Sequence, residues 1–169
     1  MVLNLYYLWF LMIKLSKLTD YAVVVLVDLA QHAAALQSAS VIAARTSLPE
    51  PTVSKILKIL ARHDIVRSIR GAQGGYRLEE SPDCIAVKDV IEAIDGPIAL
   101  TSCVSQADNT CAVERQCVVS GRWNKVNDAV TSALEKITLV DMMPHEAGSA
   151  VTATTEQLFM NEKTQEART

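Results

Sequence analysis

One stretch limits the possible folds more than any other. Pro49-Glu50-Pro51 leads into TVSKILKILARH, which leads into IVRSIRGAQGGYRL. Pro51 suits the first turn of a helix, where its missing N–H would have no partner anyway. A helix is therefore expected from about Thr52 to His63. Val53, Ile56, Leu57, Leu60 and Ala61 recur at helical spacing and form an inward face, leaving Thr52, Ser54, Lys55, Lys58 and Arg62 outside. Ile65 to Arg70 alternates as a strand does. Gly71-Ala72-Gln73-Gly74-Gly75 turns, and Tyr76-Arg77-Leu78 returns. A nucleotide-cradling loop is a weak alternative, because neither GxGxxG nor GxxxxGK followed by Ser or Thr occurs here.

Two helices precede this stretch. Ser16 or Thr19 can cap the first, with Asp20 in its first turn, where a negative charge suits the helix dipole. Apolar residues from Tyr21 onward carry it to about Leu36. It is apolar around much of its circumference, so it should be central. Ser38 to Ser40 can cap a short second helix, Val41 to Thr46. Short helix, turn, helix and basic hairpin is the order of a winged helix-turn-helix. Its third helix enters the major groove, and its hairpin lies along the backbone or minor groove. The charge distribution agrees. From Ser38 to Leu78 there are seven basic residues (Arg45, Lys55, Lys58, Arg62, Arg67, Arg70, Arg77) against Glu50 and Asp64. That segment is +5 in a chain of net charge −3, so the remainder is −8. The bland alternative is a solvated basic face.

After Pro82, Val87 to Asp95 reads as a short helix stopped by Gly96-Pro97. Cys84, just before it, is expected to be a small buried residue. A polar loop holding Cys103, Cys111 and Cys117 follows, with seven and then five residues between the cysteines. From about Ser120 a long helix carries the stripe Trp123, Val126, Val130, Ala133 or Leu134, and Ile137. This stripe is expected to meet a second copy, since two DNA half-sites need two wings; packing onto the first helix is the alternative. From about Pro144 the chain is polar and aperiodic, the signature of a flexible tail.

The opening run MVLNLYYLWFLMI is almost wholly apolar but stops at Lys14, short of the roughly 20 residues a membrane span needs. Translation starting at Met12 would account for it. No secretory signal is evident, so a reducing cytoplasm is expected, where clustered cysteines favour metal or redox roles over disulfides. Structural zinc fits poorly: zinc sites use closely spaced cysteine pairs and four ligands, and His32, His63 and His145 all lie away from the loop. A thiol redox switch and an iron–sulfur cluster, whose thiolate ligands tolerate irregular spacing, both remain open. No nucleophile–base pair or substrate motif stands out, and no enzymatic activity is expected.

KLTDYAV in the first helix, the SLPEPTVSKILKIL helix, the VRSIRGAQGGYRL hairpin and three cysteines before a tryptophan-bearing helix together resemble the Rrf-two family of bacterial transcription regulators. The resemblance spans about Ile13 to Val140 and is nearest to the branch that regulates iron–sulfur assembly by the suf system. It implies a homodimer whose affinity for double-stranded promoter DNA depends on a bound iron–sulfur cluster, 4Fe–4S or 2Fe–2S, held by Cys103, Cys111 and Cys117. It also implies DNA contacts at Thr52, Ser54, Lys55 and Arg70. One departure stands out. The assembly-regulating branch has a histidine three residues after the third cysteine, and here that position is Ser120. The nitric-oxide-sensing branch completes its site with an aspartate at the start of the partner's first helix. Asp20 occupies that place, and Glu114 is a second candidate.

The expected architecture is mainly α: a winged helix-turn-helix DNA-binding domain with a small β-hairpin wing and a long dimerisation helix. The boundaries expected are an apolar extension (1–13), the winged unit (14–82), a short helix and cluster-binding loop (83–118), the dimerisation helix (119–143) and a tail (144–169). The function expected is repression of iron–sulfur assembly genes. Nitric-oxide or thiol-redox sensing on the same scaffold, and an interaction module that binds no DNA, are the alternatives.

Overall fold

The computed structural model describes residues 15–71, 73–104 and 117–144. Its elements run α1 (Lys17–Gln31), α2 (Ala39–Thr46), α3 (Glu50–Arg62), β1 (Val66–Ile69), β2 (Gly75–Leu78), α4 (Val87–Asp95), α5 (Trp123–Glu135) and a 3₁₀ turn, Val140–Met142. The capping residues explain several of these starts. Ser16 accepts a hydrogen bond from the Thr19 N–H at 3.1 Å and opens α1. Ser38 does the same for α2 from the Val41 N–H.

Helix α1 is central, as its composition requires, and packs against α2, α3, α4 and β2. Val25 and Leu26 of α1, Ile42 of α2 and Val53, Ile56, Leu57 and Leu60 of α3 are fully buried in one core. Burying one such side chain stabilises the fold by roughly 1.5–3 kcal/mol, so this cluster dominates the unit. The 3–4 spacing read in α3 is the face that enters it.

Helix α1 ends at Gln31 rather than near Leu36. His32 closes it, its N–H bonding the carbonyls of Asp28 and Leu29. The chain is then drawn away to pair with the hairpin: the Gln37 N–H donates to the Tyr76 carbonyl at 3.0 Å, and Tyr76 returns the bond at 2.8 Å. Gln37 thus adds a one-residue strand to the antiparallel β1–β2 ribbon, in which Val66 faces Leu78 and Ile69 faces Gly75. The alternation expected in β1 is lost in its burial. Val66 is buried, whereas Arg67, Ser68 and Ile69 are all exposed, because the hairpin projects beyond the core.

Three further expectations need correction. Cys84 is exposed. It closes a surface turn, its N–H bonding the Ser81 carbonyl at 2.9 Å, and burial resumes only at Ile85. The long helix occupies only Trp123–Glu135 of the expected 119–143. Beyond it the chain returns to α4: Val87 N–H donates to the Ile137 carbonyl at 2.8 Å, and Leu139 N–H to that of Ile85 at 2.9 Å. Finally, Arg45 and Arg67 are engaged within the protein, so the basic segment offers fewer free cations than its count suggests.

Candidate nucleic-acid interface and cysteine loop

The turn between α2 and α3 passes through Ser47, a left-handed residue with φ 56°. It sets the start of α3 on the outside of the unit. Because Val53, Ile56 and Leu57 point into the core, the remaining first-turn positions point away: Thr52 and Ser54 are half-buried and Lys55 is exposed. Of the expected contacts on α3, Lys55 is thus on the outer side with Thr52 and Ser54 on its two flanks, and Arg70 is exposed at the end of β1.

The hairpin reaches this position through close backbone approaches. A Cβ on Gly75 would lie 2.9 Å from the Gln37 carbonyl oxygen, and one on Gly74 only 2.3 Å from that of Ile69. Neither position tolerates a side chain without rearrangement. Across the ribbon, the Arg67 guanidinium grips Glu79, Nε to Oε2 at 2.7 Å with a second bond from Nη2 to Oε1. Arg45 is held likewise by Asp28, whose hydrogen bonds push the guanidinium pKa up despite some desolvation. Lys55, Lys58, Arg62, Arg70 and Arg77 have no ion pair among the described residues. They are the basic side chains of the 38–78 segment left outside its ion pairs among the described residues.

Of the proposed cluster ligands, Cys103 and Cys117 are free, partly exposed thiols; Cys111 and Glu114 lie outside the described residues. The Cys103 sulfur sits 3.2 Å from the Thr101 hydroxyl. Ser120, where a histidine was expected, is an exposed turn residue whose N–H bonds the Cys117 carbonyl. Asp20 is exposed in the first turn of α1. It lines a groove of about 290 Å³ with Leu15, Val23, Val87 and Met142. Among the described residues, no three of His, Cys, Asp and Glu gather closely enough to hold a metal ion. One protomer's described part therefore does not bring Asp20 to the cysteines.

Sequence reasoning missed two polar residues near this region. Asp95, at the end of α4, accepts from the Thr19 hydroxyl at 2.7 Å and from the Ser16 N–H at 3.3 Å. Partial burial pushes its carboxyl up, but these hydrogen bonds outweigh that and hold it below the ordinary carboxylate value. Asn127 of α5 is buried and bonds the chain that enters the cysteine loop. An asparagine amid the apolar stripe was the available signal.

A helix-turn-helix with its outer face free and a cationic hairpin beside it defines a winged-helix DNA-binding transcriptional regulator. Comparison with known proteins gives the family. The profile of the Rrf2 (Rrf-two) family, iron-dependent transcriptional regulators, matches residues 15–145, and the chain belongs to that family. It is 31% identical to the transcriptional regulator CymR of Bacillus subtilis over 136 residues, covering 80% of this chain and 93% of that protein. The solved structure of that CymR, the global cysteine regulator, superposes with a TM-score of 0.58 at 32% identity, covering 78% of this chain and 96% of the other. The structure of T. potens IscR does so equally well: TM-score 0.58, 32% identity, 85% and 96% covered. The relatives are named as regulators rather than enzymes. Among the described residues, no helix is long and apolar enough to cross a membrane.

Proposed function

We propose that this regulator is a cytoplasmic homodimer that represses iron–sulfur assembly genes and senses iron or oxidant status through an iron–sulfur cluster. The observation that carries this reading is the pair of free, part-exposed thiols, Cys103 and Cys117, at the two ends of one polar loop. The donor set fits the group: thiolates are the ordinary ligands of such clusters, and the Asp20 carboxylate is exposed and able to reach a neighbouring molecule. Cys103, Cys111 and Cys117 would hold the cluster, with Asp20 of the second protomer as fourth ligand. The bound cluster would supply a centre whose occupancy follows iron supply and oxidation. The family's iron dependence supports this assignment.

The dimer rests on α5. Trp123 and Val126 are 41% and 45% exposed, and Ile137 just beyond is 39% exposed. Such an apolar row on a soluble protein calls for a partner. In this reading the state of the cysteine loop sets the packing of α5 and hence the separation of the two α3 helices. About 2 kcal/mol of coupling would change DNA affinity roughly thirty-fold. Thr52, Ser54 and Lys55 read or position the DNA, and Arg70 contacts a phosphate or the minor groove.

Thiol-redox sensing is the second reading, favoured by the likeness to CymR, the global cysteine regulator of B. subtilis. Isolation without oxygen, followed by iron, sulfide and absorbance analysis, separates the two. The wild type is expected to be coloured and iron-bearing, Cys103→Ser and Cys117→Ser to lose the iron, and Asp20→Ala to retain less. A colourless, iron-free wild type excludes the cluster. Rapid cluster loss at near-stoichiometric nitric oxide would assign the protein to nitric-oxide sensing instead.

A further inference from the structure

Helix α5 has one buried residue among its thirteen, and it is Asn127, 1% exposed. The apolar residues Trp123 and Val126 on the same helix face outward. The attachment of α5 to the chain before the cysteine loop therefore runs through an amide. Asn127 Nδ2 donates to the Ile98 carbonyl at 2.8 Å, and the Leu100 N–H donates to Asn127 Oδ1 at 3.0 Å. Both ends of the amide are used, on two backbone groups two residues apart. This pairing has a single register, whereas an apolar contact can slide.

The clamped segment leads directly to a cysteine. Three residues after Leu100 comes Cys103, and Val104 beyond it is 1% exposed. A turn closed by the Val104 N–H on the Thr101 carbonyl at 3.3 Å joins the two anchors. Cys103 is held between them, partly exposed. We propose that Asn127 is a positioning residue that fixes the entry of the cysteine loop onto α5 and so presents the Cys103 thiol. Through it, any change in the loop at Cys103 acts on the helix that carries the exposed apolar row. The proposal rests on reading the loop as the sensing element.

The clamp is tested on reduced, metal-free, full-length protein by measuring iodoacetamide alkylation of each cysteine by mass spectrometry. Asn127→Leu leaves the Ile98 carbonyl and Leu100 N–H without partners, and the entry segment opens. Cys103 is expected to react about ten-fold faster, while Cys84 stays within two-fold of wild type. Asn127→Ser retains one hydrogen-bonding group and should give an intermediate rate; it is read in the same way if the leucine variant does not fold. Leu139→Ala, a core truncation away from the clamp, controls for general destabilisation. A Cys103 rate within two-fold of wild type in the Asn127 variants overturns the proposal, and so does an equal acceleration in Leu139→Ala. A wild type that takes up no iron would remove the cluster reading, while the alkylation rates would still decide the clamp.

Discussion

Asp28 of α1 and Arg45 of α2 are joined by two charge-assisted hydrogen bonds, Nε to Oδ1 at 2.8 Å and Nη2 to Oδ2 at 2.6 Å. A third guanidinium bond, Nη1 to the Gln37 side-chain oxygen at 3.0 Å, extends this lock to the strand that pairs with the wing. The two partners are unequally exposed, 9% for the Asp28 side chain and 29% for that of Arg45. Removing the arginine strands a carboxylate away from water, whereas removing the aspartate leaves a guanidinium that water can reach. Arg45→Ala should therefore lower Tm by more than Asp28→Ala, with a drop of roughly 5 °C or more. Arg45→Lys should not restore it, since one ammonium cannot reproduce the two-pronged geometry. Thermal unfolding of the three variants checks the order.

The wing depends on the same strand. Gly75→Ala would place a methyl group 2.9 Å from the Gln37 carbonyl oxygen. Either Gln37 moves away from Tyr76 and two backbone hydrogen bonds are lost, or the hairpin twists. Overpacking of this kind costs on the order of 2 kcal/mol. The expected outcome is a clear fall in the denaturant midpoint together with weaker operator binding, because the hairpin no longer holds its place beside α3. Unchanged DNA affinity in a destabilised protein would show that the wing does not contribute to binding.

Salt dependence separates the cations that face DNA from those that serve the fold. Arg70→Ala should weaken binding across sequences and reduce the log–log salt slope by about 1. Lys55→Ala should cost roughly ten-fold in affinity at the specific site, the scale of one lost base contact. Arg67→Ala, whose guanidinium is occupied by Glu79, should leave the slope nearly unchanged. Fluorescence anisotropy with a promoter fragment at several salt concentrations measures all three.

What was legible in the chain was local, and what was not was long-range. Hydroxyls at Ser16 or Thr19 and at Ser38 to Ser40 announced two helix starts, of which Ser16 and Ser38 supply the caps, and the spacing of Val53, Ile56, Leu57 and Leu60 gave the buried face of α3. The winged order followed from these signals and the glycines. Arg45 was counted only as part of the basic segment, because its partner, Asp28, lies 17 positions away and no periodicity connects them. Cys84 was expected to be buried, but it closes a surface turn on Ser81 that carries no periodicity, and burial resumes only at Ile85. Asn127 interrupted an apolar stripe, and its two partners lie 29 and 27 residues back. The three cysteines were visible at once, but whether the second protomer's Asp20 joins them depends on an assembly that one chain does not contain.

The hold of α4 on α1 should be visible in pH. Asp95 accepts from Thr19 and Ser16, and these bonds keep its carboxyl below the ordinary value of 3.8. A depressed carboxylate stabilises the fold at pH values above the unfolded value, and that contribution disappears as pH falls through the folded one. Asp95→Asn keeps an oxygen for Thr19 but removes the charge. At neutral pH it should cost on the order of 0.5 kcal/mol, a modest figure because the carboxylate is largely in water. The wild-type and variant stability curves should run parallel from pH 7 down to about pH 5 and converge below the ordinary carboxylate value. Chemical denaturation between pH 7 and pH 2.5 provides the comparison. Curves that stay parallel to the lowest pH would mean that the charge on Asp95 contributes nothing, leaving only neutral hydrogen bonds to join the end of α4 to the start of α1. Convergence would identify the Asp95 carboxylate as a charged tie between the residue that precedes Gly96-Pro97 and the helix turn that carries Asp20.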